Sequence, residues 1–159
     1  MKRKTALITG ITGMVGSHLA DYLLKNTDWY IYGMCRWRSP FDNIKHLISR
    51  IEKKDRLEIT YGDLNDYISL QNVIEISKPN YVFHLAAQSY PKTSFESPLD
   101  TLNTNILGTA KLLEAIKKYV PNSIIHTEFK RTASTICGEC MNTFNKTFCI
   151  WTRVLKHFN

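Results

Sequence analysis

Three glycines, Gly10, Gly13 and Gly16, recur at spacing three in the run TALITGITGMVGSHLADYLL. A β-branched apolar segment, Thr5 to Thr9, precedes them. Val15, Leu19, Tyr22 and Leu23 follow at the spacing of one helical face. Glycine at a strand-to-helix junction serves a particular chemistry, because a side chain there would keep an anion from the backbone N–H groups. Gly10 permits the tight turn, Gly13 lets a pyrophosphate approach the main chain, and Gly16 lets helix and strand pack closely. The N–H groups around Met14 and Val15 then point from a helix N-terminus at the phosphates. The spacing predicts a dinucleotide site; a glycine-rich loop of purely structural use is the alternative.

Further candidates stand where later apolar segments end. After the second, where a carboxylate would select NAD through the ribose 2′-hydroxyl, the chain has Cys35, Arg36, Trp37, Arg38 and Ser39. Two guanidinium groups and a hydroxyl suit a 2′-phosphate, which favours NADP with NAD as the alternative. The bland reading is a pair of solvated arginines with Trp37 in the core. Asp63 and Leu64, in YGDL, stand where a carboxylate can accept the adenine amino group, unless Asp63 is a turn or N-cap residue. In HLAAQS, Ala86 and Ala87 are small where backbone must pass a ribose or nicotinamide, and Gln88 and Ser89 can reach the ligand.

Alternating strands and helices must position these residues. Strands are predicted over residues 4–9, 29–34, 57–61, 81–85 and 123–126. Helices are predicted over 14–26, 41–53, 66–77 and, as one long element, from Leu99 to Tyr119. Pro79 and Pro121 stop the last two helices, and a loop with Pro91 and Pro98 precedes the long one. The alternation implies an α/β fold, a doubly wound parallel sheet of Rossmann type, with the ligand at the carboxyl ends of the strands.

At 159 residues, 43% hydrophobic and 22% charged, the chain has the makings of one globular domain. MKRK before an apolar stretch mimics a signal peptide, but Thr9, Gly10, Thr12 and Gly13 break it, so a cytoplasmic location is expected. No run approaches the length of a membrane span. The net charge of +7 suits anionic small ligands, and a solvated basic surface is preferred over a nucleic-acid patch.

Taken together, GITGMVGSHLADYLL, RWRSPFDNIKHL, YGDL, VFHLAAQS, SFESP and NTNILGTAKLLEAI resemble the extended short-chain dehydrogenase/reductase superfamily. Within it they are most similar to nucleotide-sugar epimerases and dehydratases, the GDP-mannose 4,6-dehydratase group above all, over residues 1 to about 126. The resemblance implies that Gly10, Ile11, Thr12, Gly13, Met14 and Val15 hold the pyrophosphate, and Arg36, Trp37, Arg38 and Ser39 the 2′-phosphate side. It likewise implies Asp63 and Leu64 for the adenine, and Leu85, Ala86, Ala87, Gln88 and Ser89 for the nicotinamide ribose. Asn105 resembles a residue that braces the sheet, and Ser89 and Ser94 lie where the sugar substrate is first met. The partner implied is a nucleotide-sugar, with a homodimer through the helix from Leu99 to Tyr119. Met14 and Val15, where the dehydratases tend to have Gln-Asp, resemble the epimerases more.

The family oxidises a sugar hydroxyl using a Tyr-x-x-x-Lys pair beside a Ser or Thr. None of the tyrosines, at 22, 30, 32, 61, 67, 81, 90 and 119, has a lysine four residues on, and Thr127 or Ser134 would serve an empty role. No catalytic residue is therefore assigned. Residues 127–159 also break the pattern, with no proline or aspartate, six threonines and Cys137, Cys140 and Cys149. With His157 these cysteines could make a small zinc site, but a lone C-x-x-C is weak and no metal is assigned. Residues 1–126 are expected to be an incomplete dinucleotide-binding domain and 127–159 an out-of-frame or truncated ending. The expected function is an NADP-binding portion of a nucleotide-sugar dehydratase or epimerase, inactive alone. The alternative is a non-catalytic dinucleotide-binding regulatory module with a partner- or zinc-binding tail.

Overall fold

The computed structural model describes residues 3–127. Five parallel strands, β1 (Thr5–Thr9), β2 (Tyr30–Cys35), β3 (Leu57–Tyr61), β4 (Tyr81–His84) and β5 (Ile124–Thr127), lie in the order β3-β2-β1-β4-β5. This is the doubly wound sheet that the strand-helix alternation predicts. Its strand order reverses between β1 and β4, where Thr9 pairs with His84. Crevices at such reversals, beyond the carboxyl ends of the strands, are where ligands bind in open α/β sheets.

Alternate residues of β1 feed two cores, one on each face of the sheet. Ala6 and Ile8 pack with Ile11, Ala20, Leu23, Ile31 and Ile44, while Leu7 packs with Leu70, Val73, Val82 and Leu112. Helix α1 (Met14–Asn26) covers the first face through Gly16, Ser17, Ala20, Leu23 and Leu24. The expected stripe through Val15 and Tyr22 is corrected here: both are exposed, because the small residues Gly16 and Ala20 are what let the helix approach the strand. Helix α3 (Tyr67–Ser77) begins where expected, with Asp66 as N-cap accepting from the Ile68 and Ser69 amides.

The remaining helices depart from expectation. Residues 41–53 form a 3₁₀ helix, Asp42–Leu47, followed by the short α2 (Ile48–Glu52). Three residues per turn align Ile44 and Leu47, and both are buried while Ile48 is partly exposed. The long helix is divided. Helix α4 (Pro91–Glu96) occupies the supposed loop, and α5 (Pro98–Leu102), a π turn (Asn103–Leu107) and α6 (Gly108–Tyr119) follow. Pro91 and Pro98 start helices because a first-turn N–H needs no partner. Leu99, Leu102 and Leu107 leave their side chains exposed. Among the described residues no helix is long and apolar enough to cross a membrane.

Candidate functional site at the strand-order reversal

The glycine turn sits at the end of β1. Gly10 adopts φ +74°, the left-handed region that favours glycine, and its N–H donates to the Met34 carbonyl at 2.9 Å. A Cβ on Gly10 would also stand 3.0 Å from the backbone of Ala86, so this glycine admits the loop after β4 as well as making the turn. The Gly13 N–H closes the turn on the Gly10 carbonyl at 3.0 Å. At Gly16 a Cβ would collide with that same carbonyl and lie 2.8 Å from the Ile11 Cα, so helix and turn touch backbone to backbone. Gly13 is different, because its Cβ would meet only the Gly10 oxygen at 3.2 Å. It caps α1 with no side chain over the helix end, and the first turn carries no acidic residue. The first-turn N–H groups of an uncapped helix are open to an anion.

A cleft of about 520 Å³ opens beside this turn. Gly10, Thr12 and Gly13 line it, as do Met34, Cys35, Arg36, Ser39 and Pro40 after β2 and Gly62, Asp63, Leu64 and Asn65 after β3. Leu85, Ala86, Ala87, Gln88 and Ser89 complete the wall with Asp100 and Thr104. Five segments of the chain thus converge at one end of the sheet, in a volume typical of small-ligand sites. Of the candidates outside the lining, Ile11 is fully buried in the core and Gly16 is buried against the turn. Met14 and Val15 are exposed at the start of α1. Trp37 and Arg38 are exposed beyond the cleft, and Trp37 meets Tyr61 edge-on at 5.0 Å, so Trp37 is not a core residue.

Burial raises the Cys35 thiol to about 11, so it faces the cleft as a neutral group. Asp63 is both a lining residue and a turn former. Its Oδ1 accepts from the Asn65 N–H at 2.9 Å, and its own N–H donates to Ser69 Oγ. Asn65 ties this segment to the π turn: its Nδ2 donates to Thr104 Oγ1 at 3.1 Å, and its Oδ1 accepts from Asn103 Nδ2 at 2.9 Å. Asn105, expected to brace the sheet, instead clasps the loop after β4. Its Oδ1 accepts from the Gln88 N–H at 2.7 Å and its Nδ2 donates to the Gln88 carbonyl at 3.0 Å. The extra residue in the π turn lets three successive polar side chains serve these two loops. Ser94 is buried and bonds back to the Tyr90 carbonyl.

One residue near the site was not singled out from the sequence. His84, in the apolar run YVFHLAA, is 4% exposed. Its Nδ1 lies 2.8 Å from Thr9 Oγ1 and its Nε2 lies 2.9 Å from Thr109 Oγ1. Burial pulls its pKa down to about 4, which keeps the ring neutral at physiological pH. Thr9 Oγ1 also accepts the Leu85 and Ala86 N–H groups, each at 3.1 Å. A lone histidine inside an apolar strand was the available signal. Asn65, Asp100 and Thr104 in the lining carry no such signal, since Asn65 stands in an ordinary turn and the other two within a helical run. Ser134, Cys137, Cys140, Cys149 and His157 lie outside the described residues.

A family profile described as GDP-mannose 4,6 dehydratase matches residues 7–136, which reaches past His126 into the segment expected to have lost the family pattern. The GDP-mannose 4,6 dehydratase of Drosophila melanogaster is 42% identical over 118 residues, covering 72% of this chain and 30% of that protein. That of Cricetulus griseus is 40% identical over 119 residues, covering 72% of this chain and 32% of the relative. Among solved structures, the UDP-glucose 4-epimerase of Thermotoga maritima, determined with UDP-glucose, superposes with TM-score 0.61 at 27% identity. That match covers 73% of this chain and 35% of the epimerase. The Thermus thermophilus UDP-glucose 4-epimerase, in complex with NAD, gives TM-score 0.60 at 27% identity over 72% of this chain and 34% of that one. The chain spans about a third of the length of the curated relatives it matches. With a parallel sheet of the required order and a family match over most of its length, the chain belongs to the GDP-mannose 4,6-dehydratase family.

Proposed function

We propose that residues 1–126 form a dinucleotide-binding unit that takes NADP in preference to NAD, and that the 159-residue chain alone turns over no nucleotide-sugar. The observation that carries the reading is the convergence of the glycine turn, Arg36, Ser39, Asp63 and residues 85–89 around one cleft at the strand-order reversal. The cleft fits such a cofactor on its own geometry. Gly10 and Gly16 occupy places that a Cβ would fill with clashes, and Gly13 offers an uncapped helix end to a pyrophosphate.

Each wall would hold one part of the ligand. Arg36 and Ser39 supply a guanidinium and a hydroxyl for a 2′-phosphate, and no carboxylate stands among residues 35–39 to bond a free 2′-hydroxyl. Asp63 has a carboxylate oxygen beyond the one used in its turn, available to an adenine amino group. The small side chains of Ala86 and Ala87 keep the wall low beside a ribose. NADP would supply a hydride acceptor for a sugar hydroxyl. Removing the hydroxyl proton calls for a base, and no tyrosine of the 159 residues is followed by a lysine at the fourth position.

Titration calorimetry with NADP and NAD, followed by incubation with GDP-mannose and NADP, tests both halves. Binding of NADP tighter than NAD, with no 4-keto-sugar formed, is the expected result. Absence of dinucleotide binding would overturn the site, and measurable 4-keto-sugar would overturn the inactivity.

A further inference from the structure

We infer that His84 is a positioning residue for the cleft: as the neutral Nε2–H tautomer it ties the end of β1 to α6, setting the gap between the glycine turn and residues 85–89. The inference rests on reading that cleft as a dinucleotide site.

The direction of every hydrogen bond follows from donor and acceptor counts. The Asn105 carbonyl can only accept, so the Thr109 hydroxyl proton, 2.7 Å away, points to it. Thr109 Oγ1 therefore accepts from His84, and Nε2 must carry the ring proton. The opposite end gives the same answer independently. Thr9 Oγ1 accepts two backbone N–H groups, from Leu85 and Ala86, which uses its two lone pairs. Its proton is left for Nδ1 of His84, which must be the unprotonated nitrogen. The chain from the Ala86 N–H through Thr9, His84 and Thr109 to the Asn105 carbonyl is closed, with every polar atom satisfied and every side chain at most 7% exposed.

Its location makes it more than a core hydrogen bond. Thr9 immediately precedes Gly10, and the backbone of Ala86 lies 3.0 Å from where a Cβ of Gly10 would stand. The glycine turn and the loop after β4 thus meet beside Thr9, whose hydroxyl accepts from that loop, and the bond to His84 fixes the rotamer of Thr9. Asn105 then holds the far side of the same loop through Gln88. An apolar residue at position 84 would fill the space but leave the Thr9 hydroxyl free to turn, and the loop with it. A buried polar group in an apolar strand is tolerated only when fully bonded, as this one is.

The test combines a spectroscopic readout with binding, on the whole 159-residue chain. Side-chain ¹⁵N NMR of the wild type at pH 7 is expected to show His84 as the Nε2–H tautomer; an Nδ1–H ring or an imidazolium overturns the inference. Thr109→Val, which lies outside the cleft lining, is expected to weaken NADP roughly tenfold, the scale of one lost hydrogen bond, and Thr109→Ser to restore affinity to within about threefold. Leu112→Ala, a core truncation one helical turn on, should destabilise the fold at least as much and leave NADP affinity unchanged. If Thr109→Val does not fold, His84→Asn takes its place, keeping an acceptor toward Thr9 while giving up Thr109, with the same tenfold loss expected. Wild-type affinity in the folded variant, or an equal loss in Leu112→Ala, overturns the role of His84 while leaving the cleft as a dinucleotide site. Failure of the wild type to bind either NADP or NAD removes the reading of the cleft itself, and this role with it.

Discussion

Two alanine substitutions in the glycine turn, at Gly16 and Gly13, should separate packing from ligand approach. On helix propensity alone, Gly16→Ala in α1 would stabilise by about 0.5–1 kcal/mol. The local geometry opposes this. A Cβ at position 16 would collide with the Gly10 carbonyl and stand 2.8 Å from the Ile11 Cα and 3.0 Å from the Gly10 carbonyl carbon. All three are backbone atoms, so no rotamer can relieve the contact and α1 must move away from β1. Overpacking of this kind costs ~1–3 kcal/mol, which outweighs the propensity gain. For a chain of this size a net loss of ~1–2 kcal/mol lowers Tm by about 2–8 °C. Gly13→Ala should behave differently. Gly13 has φ −76°, which any residue adopts, and its Cβ would meet only the Gly10 oxygen at 3.2 Å. Alanine at this N-cap costs under ~1 kcal/mol, yet it would add a methyl to the cleft lining, beside the proposed pyrophosphate position. Thermal melts and NADPH fluorescence titrations of the two variants form the assay. Both variants should lose at least tenfold in affinity, on the order of 1.4 kcal/mol, and only Gly16→Ala should lose marked stability. A Gly16→Ala chain melting at or above the wild type would refute the packing reasoning. Wild-type affinity in Gly13→Ala would refute the placement of the pyrophosphate.

Other perturbations have equally definite outcomes. With His84 held at about 4 when folded against 6.5 when exposed, the unfolded chain binds a proton the fold refuses between those values. Stability is then complete above pH 6.5 and falls as pH drops toward 4, by about 2 kcal/mol between pH 7 and pH 5. Urea melts at the two pH values measure this, and the His84→Asn variant should lack that share of the slope. Arg36→Ala should weaken NADP about ten- to a hundredfold by calorimetry while leaving NAD unchanged, because it removes one charge-assisted bond to a 2′-phosphate. The Thr60 hydroxyl is buried without a hydrogen-bond partner among the described residues, so Thr60→Val should raise stability by about 1 kcal/mol in a urea melt.

The elements that fold by local pattern were legible before the structure. Buried parallel strands are short apolar runs, and β1 and β3 lie within a residue of their expected bounds. The glycine turn was legible because φ +74° favours glycine and a backbone at contact distance leaves no room for a Cβ. What escaped depends on partners far along the chain. The bond between Thr9 and His84 spans 75 residues, and periodicity carries no trace of it. Asn105 was visible by type, but its target became clear only when the π turn aimed it at the Gln88 backbone. Ile44 and Leu47 read as a plain helix because a spacing of three fits both windings, and burial against the sheet selects the tighter one.

The most direct test of the central claim is an NADP titration of the ¹⁵N-labelled 159-residue chain followed by amide chemical shifts. Saturable shifts gathered at Gly10, Gly13, Arg36, Ser39, Asp63 and residues 85–89 are predicted. Unchanged spectra, or shifts that gather away from the β1–β4 reversal, would contradict a dinucleotide site in this cleft.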